Sequence, residues 1–304
     1  MSKLITVFGA TGNQGGSVIQ HLLADPSLSK EFKIRGVTRD VSKPAAQALS
    51  KKGVEMVSAD LNSKDSVKAA LDGAHTVFLV TNYWESASKE MEVTQGKNVA
   101  DVAKQLGVEH LIFSSLLHVT NTTNGRLPHI PHFDGKAEIE QYIRDSGIPS
   151  SFYLPGYFMS NLEQAIRKGE DGVYTFALPV SENAKFPLLD VKEDTGKFVT
   201  GIIANRSAVL GARILGATDY YTPPQILDQI TEISGKKTQF VRVSNEAYKS
   251  FLPEFMAEEM LENHLFIDEP GYYNGEGLEE SHKIVKSELT TWKDFVAKSQ
   301  AFKA

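Results

Sequence analysis

The sequence predicts a doubly wound α/β fold, a parallel sheet covered by helices on both faces, followed by a smaller C-terminal α/β lobe. Three observations predict it. Short apolar strands alternate with amphipathic helices through the first half of the 304 residues, a glycine-rich turn follows the first strand, and the regular alternation decays after residue 155.

At 41% hydrophobic residues the chain can bury a large core. Apolar runs place strands at 4–8, 32–38, 54–57, 75–80, 108–113 and 150–154. A helix over 14–24 puts Val18, Ile19, Leu22 and Leu23 on one stripe, and a helix over 86–106 turns Met91, Val99, Val102 and Leu106 inward. The stretch 121–128 carries turn residues throughout and is expected to be an exposed, mobile loop before a helix that starts near Asp134. These elements make a domain of residues 1–155, with right-handed crossovers.

Residues 156–304 are expected to form the second lobe and in part to return to the first. Phe186 to Leu189 is apolar enough to rejoin the main sheet, and 190–204 reads as a helix packed back on the first domain. Pro223-Pro224 opens a helix, a strand falls near 239–243, and a helix runs through 254–263.

Composition excludes several function classes. The formal charge of −6 leaves no basic footprint for direct nucleic-acid binding. With no cysteine there is no disulfide, thiolate metal site or thiol redox sensor, so redox sensing would have to come through a bound cofactor; no metal site is assigned. No apolar run approaches the roughly 20 residues that cross a bilayer. Ser2-Lys3 leads straight into a strand without a signal-peptide pattern, so a cytoplasmic or nuclear location is expected.

The chemistry concentrates after the first strand, in Gly9-Ala10-Thr11-Gly12-Asn13-Gln14-Gly15-Gly16. Glycines at 9 and 12 allow a tight turn and close approach of backbone to a pyrophosphate. Gly15 lets helix pack on strand, and the helix N-terminus presents free N–H groups to the anion. With a strand before it and a helix after, the loop predicts a dinucleotide-binding Rossmann domain.

At the end of the second strand, where an NAD site places an acid on the ribose 2′-hydroxyl, the chain has Arg39. Its guanidinium can clamp a 2′-phosphate and Lys43 can add charge, which favours NADP(H); the alternative is a surface arginine paired with Asp40. Asp60-Leu61 fits either an adenine-edge contact or a turn acid.

The Gly-x-x-Gly-x-x-Gly spacing resembles the short-chain dehydrogenase/reductase superfamily. Thr81-Asn82-Tyr83-Trp84-Glu85, His132-Phe133-Asp134-Gly135-Lys136 and Leu154-Pro155-Gly156-Tyr157-Phe158 further resemble its NmrA-like branch, which includes NADPH-sensing members. That resemblance implies that Gly9, Ala10, Thr11, Gly12, Asn13 and Gln14 wrap the pyrophosphate, and that Arg39 and Lys43 hold the 2′-phosphate. It also implies that Asp60 and Leu61 meet the adenine, that Thr81, Asn82 and Tyr83 line the nicotinamide side, that Lys136 reaches the nicotinamide ribose, and that Tyr157, Phe158 and Asn161 close over the ring. Tyr83 and Trp84 also read as plain packing aromatics, and Lys136 as an exposed first-turn residue.

An orthodox short-chain reductase pairs Tyr with Lys four residues on; here His132 stands in the tyrosine's place before Lys136. His132 can serve as acid or base, or merely cap or pack the helix, and Ser114 or Ser115 can polarise a carbonyl. The departure from tyrosine favours a redox sensor or regulator acting through a protein partner. The alternative is an NADPH-dependent reductase of a carbonyl, quinone or imine substrate. Either could act as a homodimer.

Overall fold

The computed structural model of the chain describes residues 2–303. Six strands of its main sheet are β1 (Lys3–Val7), β2 (Phe32–Thr38), β3 (Glu55–Ser58), β4 (Thr76–Leu79), β5 (His110–Ser114) and β6 (Ser150–Pro155). After it come β7 (Tyr157–Phe158), β8 (Ile166–Lys168), β9 (Tyr174–Leu178), β10 (Phe186–Leu189), β11 (Arg213–Gly216), β12 (Asp219–Tyr221) and β13 (Thr238–Arg242). The main sheet has seven strands in the order β11-β6-β5-β4-β1-β2-β3, every neighbouring pair parallel. This is the doubly wound Rossmann-type arrangement expected from the sequence.

Strands β4, β5 and β6 are buried along their whole length, because helices cover both faces. Alternate residues feed opposite layers. Val77, Leu79, Leu111, Phe113, Phe152 and Leu154 enter one core cluster, while Phe78, Ile112 and Tyr153 enter the other with Ile5 and Val7. The strand order reverses between β1 and β4, and a crevice opens outside the carboxyl ends of the strands at such a switch point.

Four expectations need correction. The helix Lys89–Gln105 buries Val93, Val99 and Val102, but Met91 is 43% exposed. It lies off the stripe on which Gly96 meets Ile139 of the helix Pro131–Ser146. That second helix opens three residues before Asp134, with proline in its first turn.

The 121–128 stretch is exposed over most of its length, as expected, but it is not all loop: it begins inside the short helix Val119–Thr122, and it is anchored by buried Leu127 and by an Arg126 guanidinium N–H to the Glu269 carbonyl at 2.5 Å. Finally, β10 does not rejoin the main sheet; it pairs with β7 and β12 in a separate three-stranded sheet. The edge beside β6 is taken by β11 instead. The helix Thr195–Ala204 does pack back on Asn13–Ala24, where the Gly196 N–H donates to Ser17 Oγ at 2.9 Å and a Cβ at Gly196 would lie 2.3 Å from the Ser17 carbonyl.

Two buried histidines give the fold a pH limit. Burial pushes the imidazoles of His110 and His264 down to about 4, so both are neutral in the native protein at pH 7. An unfolded histidine titrates near ~6.5. The stabilisation is therefore complete above that value and is lost as pH falls from about 6.5 to 4, on the order of 3 kcal/mol per histidine. Urea unfolding at about pH 7 and pH 4.5 should show this drop, and it should shrink in a His110→Gln, His264→Gln double variant.

Candidate functional site

A cleft of about 860 Å³ occupies the switch-point crevice. Its walls combine the glycine loop, the ends of β2, β3 and β4, the helix Pro131–Ser146, the Pro155 to Phe158 turn and the helix Glu254–Asp268. Gly9, Thr11, Gly12, Asn13, Gln14, Arg39, Asp60, Leu61, Thr81, Asn82, Tyr83, His132, Lys136, Tyr157, Phe158 and Asn161 all line it. Residues from six places in the sequence thus converge on one cavity.

The loop geometry keeps backbone and helix end open to the cleft. Gly9 has φ +63°, a left-handed conformation that glycine adopts without strain. A Cβ on Gly15 would sit 2.3 Å from the Gly9 carbonyl oxygen, so only glycine lets helix and loop approach this closely. Gly12 caps the helix Asn13–Ala24 with no side-chain hydrogen bond, which leaves the first-turn N–H groups and the positive helix end available to an anion.

Beyond the loop, Arg39 is 70% exposed and forms an ion pair with Glu85, not with Asp40. Asp40 is occupied by the Ser42 hydroxyl and N–H, contacts that hold its carboxyl below the usual range. Asp60 accepts from the Asn62 N–H and side-chain amide, both at 2.9 Å, so it acts as a turn acid while still lining the cleft.

Two buried carboxylates organise the opposite wall. Lys136 Nζ donates to Glu92 Oε1 at 2.5 Å and to Thr81 Oγ1 at 2.8 Å, and Thr81 in turn donates to Glu92 at 2.7 Å. Glu92 is 1% exposed. One helical turn earlier, His132 Nδ1 contacts Glu259 Oε1, and the Tyr83 hydroxyl donates to Glu259 Oε2 at 3.1 Å. His132 Nε2 makes no hydrogen bond among the described residues. Burial, with the Glu259 carboxylate beside it, pushes the Tyr83 phenol well above its ordinary range, so it stays protonated.

The NmrA-like family model matches residues 1–296. The chain belongs to the NmrA-like family. It is similar to the NmrA-like family domain-containing oxidoreductase malD of Malbranchea aurantiaca, with 32% identity over 260 residues that cover 80% of this chain and 76% of that protein. Its fold is shared by NmrA, a negative transcriptional regulator solved in complex with NADP, at TM-score 0.83, 22% identity and coverage of 98% and 95% of the two chains. The triphenylmethane reductase of Citrobacter sp. complexed with NADP(H) aligns at TM-score 0.79 and 23% identity, covering 97% and 99%.

Four residues singled out in this NmrA-like sequence do not reach the cleft. Ala10 is fully buried beneath the loop, its N–H bonded to the Val37 carbonyl at 3.1 Å, and Lys43 is exposed at the start of the helix Pro44–Ser50. Ser114 is fully buried and donates to Gln14 Oε1 at 2.8 Å, while Ser115 donates to Glu140 at 2.6 Å. Neither serine hydroxyl is free to polarise a carbonyl. His132 is not a capping residue, since Ile130 holds the N-cap position.

Sequence reasoning missed Glu92, Glu259, Met260, Asn263 and Tyr272. Glu92 carried a signal, an acid beside Val93 on the stripe that continues through Gly96 and Val99. Glu259 carried none, because its partners are 127 and 176 residues away in the chain.

Proposed function

We propose that the cleft binds NADP(H) and that the chain is an NADP(H)-dependent reductase of a small carbonyl, quinone or imine compound. The observation that carries this reading is His132, pinned through Nδ1 by buried Glu259 with Nε2 left free at the cleft wall, one turn before Lys136. The glycine cradle and uncapped helix suit the pyrophosphate, and Arg39 suits the 2′-phosphate. The name of malD and the bound NADP(H) of NmrA and triphenylmethane reductase support it.

The dinucleotide, when bound, supplies a hydride. Lys136, whose ammonium is engaged by Glu92 Oε1, Thr81 Oγ1 and, at 3.3 Å, the Thr81 carbonyl, would release that long contact to donate to a ribose hydroxyl. His132 holds a proton at Nε2 and passes it to the substrate oxygen or nitrogen, while Glu259 orients the ring and balances the imidazolium charge. Tyr83 serves Glu259 rather than the substrate, because its phenol is the poorer acid.

A panel of carbonyls, quinones and imines should show NADPH oxidation that falls about 100-fold or more in His132→Ala with NADPH affinity unchanged. No turnover across the panel, or turnover indifferent to His132, removes the reductase reading.

A second reading, a regulator that reports cofactor occupancy to a protein partner, is favoured by the ties between the cleft and the helix Glu254–Asp268. Glu259 holds Tyr83 and His132, and Glu262 takes the His129 N–H and Nδ1, each at 2.6 Å. A 2′-phosphate arriving at Arg39 competes with Glu85, which shares the short 3-10 turn Tyr83–Glu85 with Tyr83. Such coupling works only if the cofactor binds two conformations differently. Cofactor-dependent hydrogen exchange in 120–131 and after residue 155, without turnover, selects this reading.

The same ion pair gives an affinity prediction. NADPH should bind at least about tenfold more tightly than NADH, about 1.4 kcal/mol, and Arg39→Ala should abolish the difference. Glu85→Gln should tighten NADPH severalfold, because Arg39 no longer has to leave a partner. Equal wild-type affinities would remove the 2′-phosphate role of Arg39.

A further inference from the structure

The short turn Tyr83–Glu85 carries two aromatic side chains with opposite fates. Tyr83 is 4% exposed and its hydroxyl is held by Glu259, whereas Trp84 lines the cleft and is 50% exposed. The Trp84 and His132 rings lie 5.1 Å apart, tilted by 45°, so the open indole stands beside the imidazole that carries the proton. An aromatic kept only for packing would spend that surface on the core; Trp84 keeps it open at the cleft.

The wall next to His132 is apolar and offers no spare counter-charge. The Phe133 ring lies 4.9 Å from the His132 ring and 5.4 Å from the Tyr272 ring, and the Tyr272 hydroxyl is given to the Pro155 carbonyl at 3.1 Å. Leu116 and Met260 line the same cleft. Its cationic side chains are Arg39, His132 and Lys136, and each already faces a carboxylate, of Glu85, Glu259 and Glu92 respectively. A carboxylate or phosphate on the substrate would lose its water there without gaining a cation.

We infer that Trp84 sets the substrate class: an uncharged compound whose carbonyl, quinone or imine group is borne on a flat aromatic ring, seated on the exposed indole with the reacting atom turned toward His132. Aromatic pairs prefer offset or edge-to-face contact with centroids ~4.5–7 Å apart, which a flat ring can make and a puckered aliphatic ring cannot. Beyond the area buried, such a contact is worth about threefold to tenfold in affinity. The inference rests on the reductase reading above and adds to it the class of compound reduced and the residue that selects it.

Three ketones test it. Acetophenone and cyclohexyl methyl ketone carry the same acetyl group on a flat and a puckered six-membered ring, and 4-acetylbenzoate adds a carboxylate to the first. Binding to the NADP-loaded protein, by ligand-observed NMR, and kcat/KM with NADPH are compared in wild type, Trp84→Leu and Trp84→Phe. Acetophenone should lead cyclohexyl methyl ketone about threefold to tenfold, a lead that vanishes in Trp84→Leu and returns in Trp84→Phe, with 4-acetylbenzoate trailing in all three and NADPH affinity unchanged. In the wild type alone, acetophenone should quench tryptophan emission saturably and cyclohexyl methyl ketone should not, since the other tryptophan, Trp292, is fully buried. The inference is overturned if no ketone binds, if the wild type treats flat and puckered rings alike, if the lead survives Trp84→Leu, or if 4-acetylbenzoate binds as well as acetophenone. A fall in NADPH affinity in Trp84→Leu would place the indole against the nicotinamide and overturn it as well. A Trp84-dependent lead in binding without turnover of any ketone would support the role of Trp84 and remove the reductase reading.

Discussion

Gly12→Val is expected to abolish dinucleotide binding, by more than about 100-fold, in a chain that still folds. Gly12 has φ −90° and ψ 179°, an extended conformation open to any residue, so the substitution strains no backbone. The first contact of a Cβ would be the Gly9 carbonyl oxygen at 3.3 Å, a tight approach that the loop can relieve by a small shift. The branched side chain then occupies the surface where the phosphates would meet the backbone. Gly15→Val makes the contrast, since its Cβ would lie 2.3 Å from one carbonyl oxygen and 2.7 Å from another. That variant should lose stability as well as binding. Circular dichroism and NADPH titration on the same samples separate the two, and unchanged affinity in folded Gly12→Val would show that the loop does not hold the phosphates.

Lys136→Met is expected to destabilise the protein by about 3–5 kcal/mol, because it leaves a buried carboxylate without its counter-charge. Glu92 Oε1 would keep only the Thr81 hydroxyl, and Glu92 Oε2 already lacks a protein partner. The companion double variant Lys136→Met, Glu92→Leu should recover most of the loss, since replacing both members of a buried pair by apolar groups is often neutral. Urea unfolding of the single and double variants measures the coupling. A Lys136→Met variant within about 1 kcal/mol of wild type would mean that solvent reaches the pair. Recovered stability in the double variant without recovered NADPH binding would assign the ammonium to the cofactor as well as to the fold.

Most of the main sheet was legible because a strand buried on both faces must be apolar along its length, as β4, β5 and β6 are. The cleft wall supplied by the helix Glu254–Asp268 was harder. Asn263 and Glu259 sit on a helix with polar residues on its buried side, a pattern that reads as a solvated face until its partners are known. β11 was invisible for a related reason: Arg213 to Gly216 is four residues long and ends in glycine, too short for a periodic signal. The apolar segment that did stand out, Phe186 to Leu189, found its own small sheet with β7 and β12.

By itself the sequence determined the elements whose cause is local. Glycine spacing after β1 specifies the anion cradle, since only a residue without a Cβ fits at Gly15, and the alternation of strand and helix specifies a parallel sheet. Tertiary structure alone decided which polar groups are spent on the protein and which remain for a ligand. Ser114 and Ser115 are consumed by Gln14 and Glu140, and Tyr83 by Glu259, whereas His132 on the cleft wall keeps Nε2 without a partner among the described residues. A hydrogen bond depends on two atoms meeting within about 3 Å. Residues separated by more than a hundred positions meet only when the chain has closed, so that distribution cannot be read from spacing along the sequence.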